Sequence, residues 1–333
     1  MGEAQVNLAI VGCGLIGRRR AQNLAGARLT HCVDSDLARA REIASAHPGC
    51  KPGSDWHSLL ALPDVQAIVI ATTHDALAPI ARAAIQAGRH VLIEKPAARG
   101  RNEIQDLAQL AERHNVRVRV GFNHRYHRSF QQARNLVDSG ALGDLMYLRA
   151  RYGHGGRLGY EREWRAQPQR SGGGELLDQG VHLIDLARWF LGEFTRVEGF
   201  AHTFFWDMPV EDNGFLLLRT ASDRVAFLHA SCTEWKNTFS WELYGRSGKL
   251  QIDGLGGSYG VERLTWYRMR PEMGPPDTQV WEYPMQDNSW SVEMAEFIED
   301  IRAARMPAAG LGDAMAALAV VEQIYGGRHA GLP

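Results

Sequence analysis

The segment that most constrains this chain lies within its first forty residues. An apolar run, Val6 to Val11, leads directly into Gly12-Cys13-Gly14-Leu15-Ile16-Gly17, a helix-like stretch continues to about Ala25, and a second apolar run, Leu29 to Val33, ends at Asp34, twenty residues after Gly14. A strand, a GxGxxG turn, a helix and a second strand form the start of a βαβ unit that binds a dinucleotide. Glycine is required at Gly12 for the tight turn, at Gly14 so that the backbone can approach a pyrophosphate, and at Gly17 for close helix–strand contact, with the phosphate charge at the helix N-terminus. Cys13, Leu15 and Ile16 complete the cofactor loop. Asp34, with Ser35 beside it, is placed to accept hydrogen bonds from ribose hydroxyls and to repel a 2′-phosphate. No arginine adjoins Asp34, so NAD is expected rather than NADP. The helix beginning near Leu37 can be capped by Ser35 or Asp36, which leaves Asp34 for the ligand.

The alternation continues through a strand over Ala67 to Ala71, a helix over Asp75 to Ala87, a strand over His90 to Ile93, a helix over Asn102 to Arg113 and a strand over Arg117 to Phe122. That pattern predicts a parallel sheet with ligands beyond the carboxyl ends of its strands. Thr72, Thr73, His74, Glu94, Lys95 and Asn123 stand at those ends and are expected around the cofactor. With 333 residues, two domains are expected. The balance of 37 Lys plus Arg against 38 Asp plus Glu argues against nucleic acid or an anionic membrane as partner. No apolar run approaches the roughly 18 residues needed to cross a bilayer. The polar opening shows no signal-peptide pattern, so a cytoplasmic protein is expected. Cys13, Cys32, Cys50 and Cys232 lie far apart in sequence with no CxxC spacing, so neither a zinc site nor a disulfide framework is indicated, and they read as buried or inert thiols.

Ala87-Gly88-Arg89-His90-Val91-Leu92-Ile93-Glu94-Lys95-Pro96 closely resembles the AGKHVLxEKP signature of the glucose-fructose oxidoreductase, inositol dehydrogenase and MocA (Gfo/Idh/MocA) family. The resemblance continues through Gly121-Phe122-Asn123-His124-Arg125-Tyr126, Trp164-Arg165, Gly172-Gly173-Gly174, Asp178-x-Gly180-x-His182-x-x-Asp185 and the last helix around Tyr325, and so covers essentially the whole chain. Thr73 and Leu77 depart from the family pattern, where proline and histidine are common. The resemblance implies an α/β architecture: an N-terminal Rossmann doubly wound parallel sheet over residues 1–123, which binds NAD, and a C-terminal α+β domain over 124–333 with a large open, mostly antiparallel sheet. The second domain would bind substrate and build a homodimer or homotetramer through that sheet, and the C-terminal helices, Trp290 to Ala304 and Asp313 to Tyr325, are expected to return to the first.

The second half supports this by itself. Leu145 to Tyr152, Val197 to Trp206, Gly214 to Arg219, Val225 to Thr233, Phe239 to Gly245, Arg263 to Met269 and Gln279 to Tyr283 are strand-like, and the short connections between them predict antiparallel pairing. Glu175 to Leu191 reads as a helix carrying Asp178, His182 and Asp185 on one face. A histidine beside a carboxylate carries protons at neutral pH, and a lysine lowers the cost of charge on a substrate oxygen. The resemblance places Lys95, Asp178 and His182 at the family's catalytic positions, with His182 as acid/base and Lys95 polarising the hydroxyl; Asp185 is read as structural. Three ligands from one straight helix do not converge readily on one ion, so no metal is expected. Asn123, His154, Arg157, Trp164 and Arg165 are the candidate substrate contacts, suited to a polyhydroxylated or anionic small molecule. The expected activity is NAD-dependent hydride transfer at a secondary alcohol carbon of a sugar, cyclitol or sugar nucleotide. The rivals are an NAD-using glycoside hydrolase and a non-catalytic NAD-binding sensor.

Overall fold

A computed structural model describes residues 5–327. In chain order the first elements are β1 (Asn7–Val11), α1 (Leu15–Ala21), β2 (Arg28–Val33), α2 (Leu37–Ser45), β3 (Lys51–Gly53), β4 (Ala67–Ile70), α3 (His74–Gln86), β5 (His90–Glu94), α4 (Leu107–Arg113) and β6 (Val118–Gly121). Then come α5 (Arg128–Asp138), β7 (Leu145–Gly153), α6 (Pro168–Ser171), a π-helical turn (Leu176–Gly180), α7 (Val181–Leu191) and β8 (Phe194–His202). They are followed by β9 (Asn213–Thr220), β10 (Val225–Ser231), β11 (Thr238–Gly245), β12 (Gly248–Asp253), β13 (Glu262–Arg268), β14 (Asp277–Tyr283), α8 (Ser289–Arg302) and α9 (Leu311–Gly327). The described chain forms two compact units. One runs to Asn123 and takes in Trp290–Met315; the other is His124–Ser289 with the residues from Ala316 on.

The first unit is built on a parallel six-stranded sheet in the order β3-β2-β1-β4-β5-β6. Its central strands are buried along their length, as strands covered on both faces must be, so they read as continuous apolar runs rather than alternating ones. Leu8, Ile10, Val69 and Leu92 form the core, and α8 closes it with Met294, Phe297 and Ile298. The helix after the glycine turn ends at Ala21, one turn earlier than the apolar pattern suggested.

The second unit carries an eight-stranded sheet, β14-β13-β12-β11-β7-β10-β9-β8. Here strands alternate: in β7, Leu148, Ala150 and Tyr152 are buried while Tyr147, Arg149 and Arg151 are exposed. The buried side packs against α5 and α7, with Phe130 edge-on to the fully buried Trp241 at 5.3 Å and Phe190 tilted against it at 4.8 Å. One pairing departs from expectation. β7 and β10 run parallel, because the chain leaves β7 and re-enters the sheet through the α6–α7 excursion and two further strands. β8 also ends at His202, not Trp206: the buried Asp212 carboxylate accepts N–H bonds from Phe204, Phe205 and Trp206 at 2.9, 2.8 and 3.1 Å and turns the chain away. No described helix is long and apolar enough to cross a membrane.

Candidate active site

In the first unit the strand order reverses between β1 and β4, and the crevice at such a reversal is where ligands bind. The glycine turn and Thr72–Thr73 meet there. Gly12 has φ +93°, and a Cβ on it would stand 2.4 Å from the Ala71 carbonyl oxygen; a Cβ on Gly17 would stand 1.9 Å from that of Gly12. The chain's own packing therefore requires both glycines. Gly14 is different: its φ is −73° and no atom lies within 4 Å of where its Cβ would be. Nothing in the protein excludes a side chain there, whereas a cofactor approaching the backbone does, so the loop fits a dinucleotide.

Asp34 is oriented towards this loop. Its carboxylate accepts the Cys13 N–H at 2.7 Å and the Asp36 N–H at 2.9 Å, while Gly12 N–H donates to Val33 O at 2.8 Å. The cap of α2 is Asp36, which accepts from Ala38 N–H at 3.0 Å. Thr73 precedes α3 and donates to Asp75 at 2.6 Å; His74 is buried, and Leu77 is packed in the core. Ser35 is exposed and Asn123 buried. Glu94, expected at the cofactor, has its carboxylate committed elsewhere. The fully buried Arg20 donates to Glu94 at 2.7 Å and to Glu293 at 2.6 Å under the Trp290 ring, tying α1, β5 and α8 together. Burial holds the Glu293 carboxyl above its usual range. The half-buried Lys95 follows Glu94.

The second unit gathers the remaining candidates. Entry to α7 is tight: a Cβ on Gly173 would stand 2.1 Å from the Tyr325 hydroxyl and one on Gly174 1.9 Å from Glu211 O. The helix read over Glu175 to Leu191 opens with the π turn, a widened geometry frequent at functional positions, and Asp178 lies in it. Arg165 Nε donates to Asp178 at 2.8 Å while its guanidinium covers the Trp164 ring at 4.6 Å, and the Asp178 charge raises the Arg165 pKa. His182 is buried and stacks on His124, ring centroids 3.7 Å apart and 12° from parallel. Tyr152 lies edge-on to both, and burial pushes its hydroxyl pKa well up.

The partly buried His154 and the buried Glu175 form a second group. His154 Nδ1 accepts the Gly156 N–H at 2.9 Å, so in the neutral ring Nε2 carries the proton towards Glu175 at 3.5 Å. Burial opposes the charged ring, but the Glu175 and Asp178 carboxylates outweigh it and the His154 pKa is raised. Asp185 is bound by Arg125, with Nε at 2.7 Å. Arg157 is exposed and paired with Glu163 at 2.6 Å.

Sequence reasoning passed over His124 and Glu175. His124 lies within the Gly121–Tyr126 motif and Glu175 opens the helix after the glycines, but no spacing rule reports a ring stack or a carboxylate reached from a loop. Three of the four cysteines are buried, as expected, but the proximity of Cys13, Cys32 and Cys50 was not legible: Cys32 lies against Cys13 and has its Sγ 3.5 Å from that of Cys50. β2 and β3 are adjacent strands, so thiols distant in sequence become neighbours.

Comparison with known proteins follows the same division. Residues 6–122 match an oxidoreductase family with an NAD-binding Rossmann fold, and residues 130–251 match the GFO/IDH/MocA C-terminal domain. Levoglucosan dehydrogenase of Pseudarthrobacter phenanthrenivorans is 28% identical over 222 residues, which are 63% of this chain and 57% of that relative. This alignment thus spans little more than half the relative's length. The dTDP-3,4-didehydro-2,6-dideoxy-alpha-D-glucose 3-reductase of Streptomyces violaceoruber is 29% identical over 334 residues, covering 98% of this chain and 95% of the relative. In fold, the structure is similar to levoglucosan dehydrogenase solved in complex with NADH and levoglucosan, with TM-score 0.87, 20% identity and 98% of each chain covered. The glycine turn, the switch-point crevice and the two matched domains agree, and the chain belongs to the Gfo/Idh/MocA family of oxidoreductases, with an NAD-binding Rossmann domain at its N-terminus.

Proposed function

We propose that this protein is an NAD-dependent dehydrogenase acting on a secondary alcohol carbon of a sugar, cyclitol or sugar nucleotide. The observation that carries the reading is the buried set on the π turn and α7, where Asp178, held by Arg165, precedes the buried imidazole of His182 by one turn. A neutral histidine shielded from bulk water can take the proton of a substrate hydroxyl, and Asp178 favours the charged ring that results. NAD, when bound, accepts the hydride. Lys95 supplies a positive charge for the substrate oxygen, and Gly12, Cys13, Gly14, Leu15, Ile16, Gly17, Asp34, Ser35, Thr72, Thr73 and His74 hold the cofactor.

Asn123, His154, Arg157, Trp164 and Arg165 remain the candidate substrate contacts. Arg165 also positions Asp178, and Trp164 offers a ring face of the kind that stacks on sugars. The exposed face of the eight-stranded sheet, with Phe200, Leu217 and Phe227 turned outward, suits assembly into a homodimer or homotetramer. Four free cysteines fit a cytoplasmic setting.

NADH formation at 340 nm by the purified protein, across a panel of sugars, inositols and sugar nucleotides, tests the proposal. Substrate-dependent NADH formation that His182→Ala abolishes is expected. Glycoside cleavage without net NADH, or NAD binding with no turnover of any panel member, would overturn it.

A further inference from the structure

Three of the four cysteines meet beneath the cofactor loop. Cys13 is the second residue of the glycine turn, and its Sγ lies 3.6 Å from Val33 O. Cys32, on β2, is buried with Cys13 in the core between the sheet and α2. Cys50, just before β3 at the edge of the sheet, is only partly buried, and its Sγ stands 3.5 Å from that of Cys32. A cysteine that merely fills core space needs only apolar neighbours. Here two sulfurs face each other, Cys32 on β2 and Cys50 at the lead-in to β3, the first sealed and the second partly exposed. Among the described residues no three ligating side chains are placed to hold a metal ion, so the chemistry of the trio is that of thiols.

We infer that Cys50 and Cys32 form an oxidation site, with Cys50 as the thiol that meets a hydroperoxide and Cys32 as the thiol that resolves it. The separation is short enough for side-chain rotation and a small strand movement to reach the bonded distance of about 2.05 Å. Hydrogen bonding with Cys32 lowers the Cys50 pKa, whereas hydrogen bonding with Cys13 and Cys50 raises that of Cys32. Cys50 is thus both the more accessible thiol and the better thiolate. Its sulfur attacks the peroxide O–O bond, which breaks: the thiol becomes a sulfenic acid and the peroxide, taking up two electrons, leaves as an alcohol or water. Cys32 sulfur then attacks the Cys50 sulfur, the S–O bond breaks, and hydroxide departs as water with the Cys32 proton. In sum, two thiols and one hydroperoxide give one disulfide, one alcohol or water, and one water.

The site is coupled to the cofactor loop through the end of β2. Cys32 is followed by Val33, whose carbonyl accepts Gly12 N–H at 2.8 Å, and by Asp34, whose carboxylate accepts Cys13 N–H at 2.7 Å. Drawing the Cys32 sulfur towards Cys50 removes it from Cys13 and pulls this end of β2 towards the sheet edge. NAD affinity should fall at least threefold. This consequence, unlike the oxidation itself, rests on the cofactor roles proposed for the loop and Asp34.

The test treats the whole reduced protein with a small excess of hydrogen peroxide. Intact mass should fall by 2 Da, denatured free thiols should drop from four to two, and a digest should link the peptides bearing Cys32 and Cys50. Dithiothreitol should reverse all three changes. Cys50→Ser should bind NAD like the reduced wild type and keep its mass under the same treatment. Four surviving thiols, over-oxidation of Cys50 without a crosslink, or a bridge through Cys232 would overturn the inference. A reversible Cys32–Cys50 bridge that leaves NAD affinity unchanged would refute the coupling. If the reduced protein binds no NAD at all, the proposed dehydrogenase function fails, while mass and thiol count still decide the oxidation site.

Discussion

Replacing Gly14 by alanine separates folding from cofactor binding in one substitution. Gly14 has φ −73° and ψ −160°, a conformation open to any L residue, and its added methyl would meet no protein atom within 4 Å. Gly→Ala at such a site stabilises by about 0.4–1 kcal/mol by restricting the unfolded chain, so the urea midpoint should hold or rise slightly. The same methyl would stand where the backbone must approach a pyrophosphate. Loss of one charge-assisted hydrogen bond costs about 1.5–3 kcal/mol, or roughly tenfold to 150-fold in Kd for NAD by calorimetric titration. Gly17→Ala makes the contrasting control. Its Cβ would stand 1.9 Å from Gly12 O, so helix and strand must part, and overpacking of this kind costs about 1–3 kcal/mol in stability. A folded Gly14→Ala protein that binds NAD as tightly as the wild type would refute the argument, as would a Gly14→Ala protein that unfolds early.

Three further outcomes are expected. Asp34→Ala should weaken NAD by about 1.5–3 kcal/mol and narrow its advantage over NADP, measured by paired titrations; tighter binding of NADP than NAD to the wild type contradicts the role. His182→Ala should lower turnover by about 100-fold to 10,000-fold with NAD affinity nearly intact, and retention of half the activity at neutral pH removes the assignment. His90 supplies a pH dependence. Burial, with the Arg117 charge, lowers its pKa from 6.5 to about 4, and its Nδ1 accepts the Arg117 N–H at 2.9 Å, so the folded protein keeps the ring neutral. The unfolded chain takes up the proton first, so stability should fall as pH drops from about 6.5 to about 4, by roughly 1–3 kcal/mol after discounting for water. His90→Asn should flatten that slope in urea titrations, and an unchanged slope would show that other groups set it.

What the sequence determined by itself is local. GxGxxG between two apolar runs specifies a βαβ unit because φ at Gly12 and the contact at Gly17 are demands on the backbone within a few residues. The alternating residues of β7 likewise show which side of their sheet is buried. The strands missed were β3 and β12, and the helices missed were α5 and the four-residue α6; β3 is three residues long and β12 sits one turn from β11, too short and too close for periodicity to resolve. Tertiary structure alone decided the partners. Arg20 and Glu94 are 74 residues apart, Arg125 and Asp185 are 60 apart, and the rings of His124 and His182 meet across 58. In each pair a group that costs free energy to bury is matched by another brought to it by packing, and a linear pattern holds no record of which two will be neighbours. For the same reason three cysteines that look isolated in sequence stand in one cluster: the parallel pairing of β2 with β3 brings Cys50, the residue before β3, to Cys32 on β2, and the turn after β1 brings Cys13 to them.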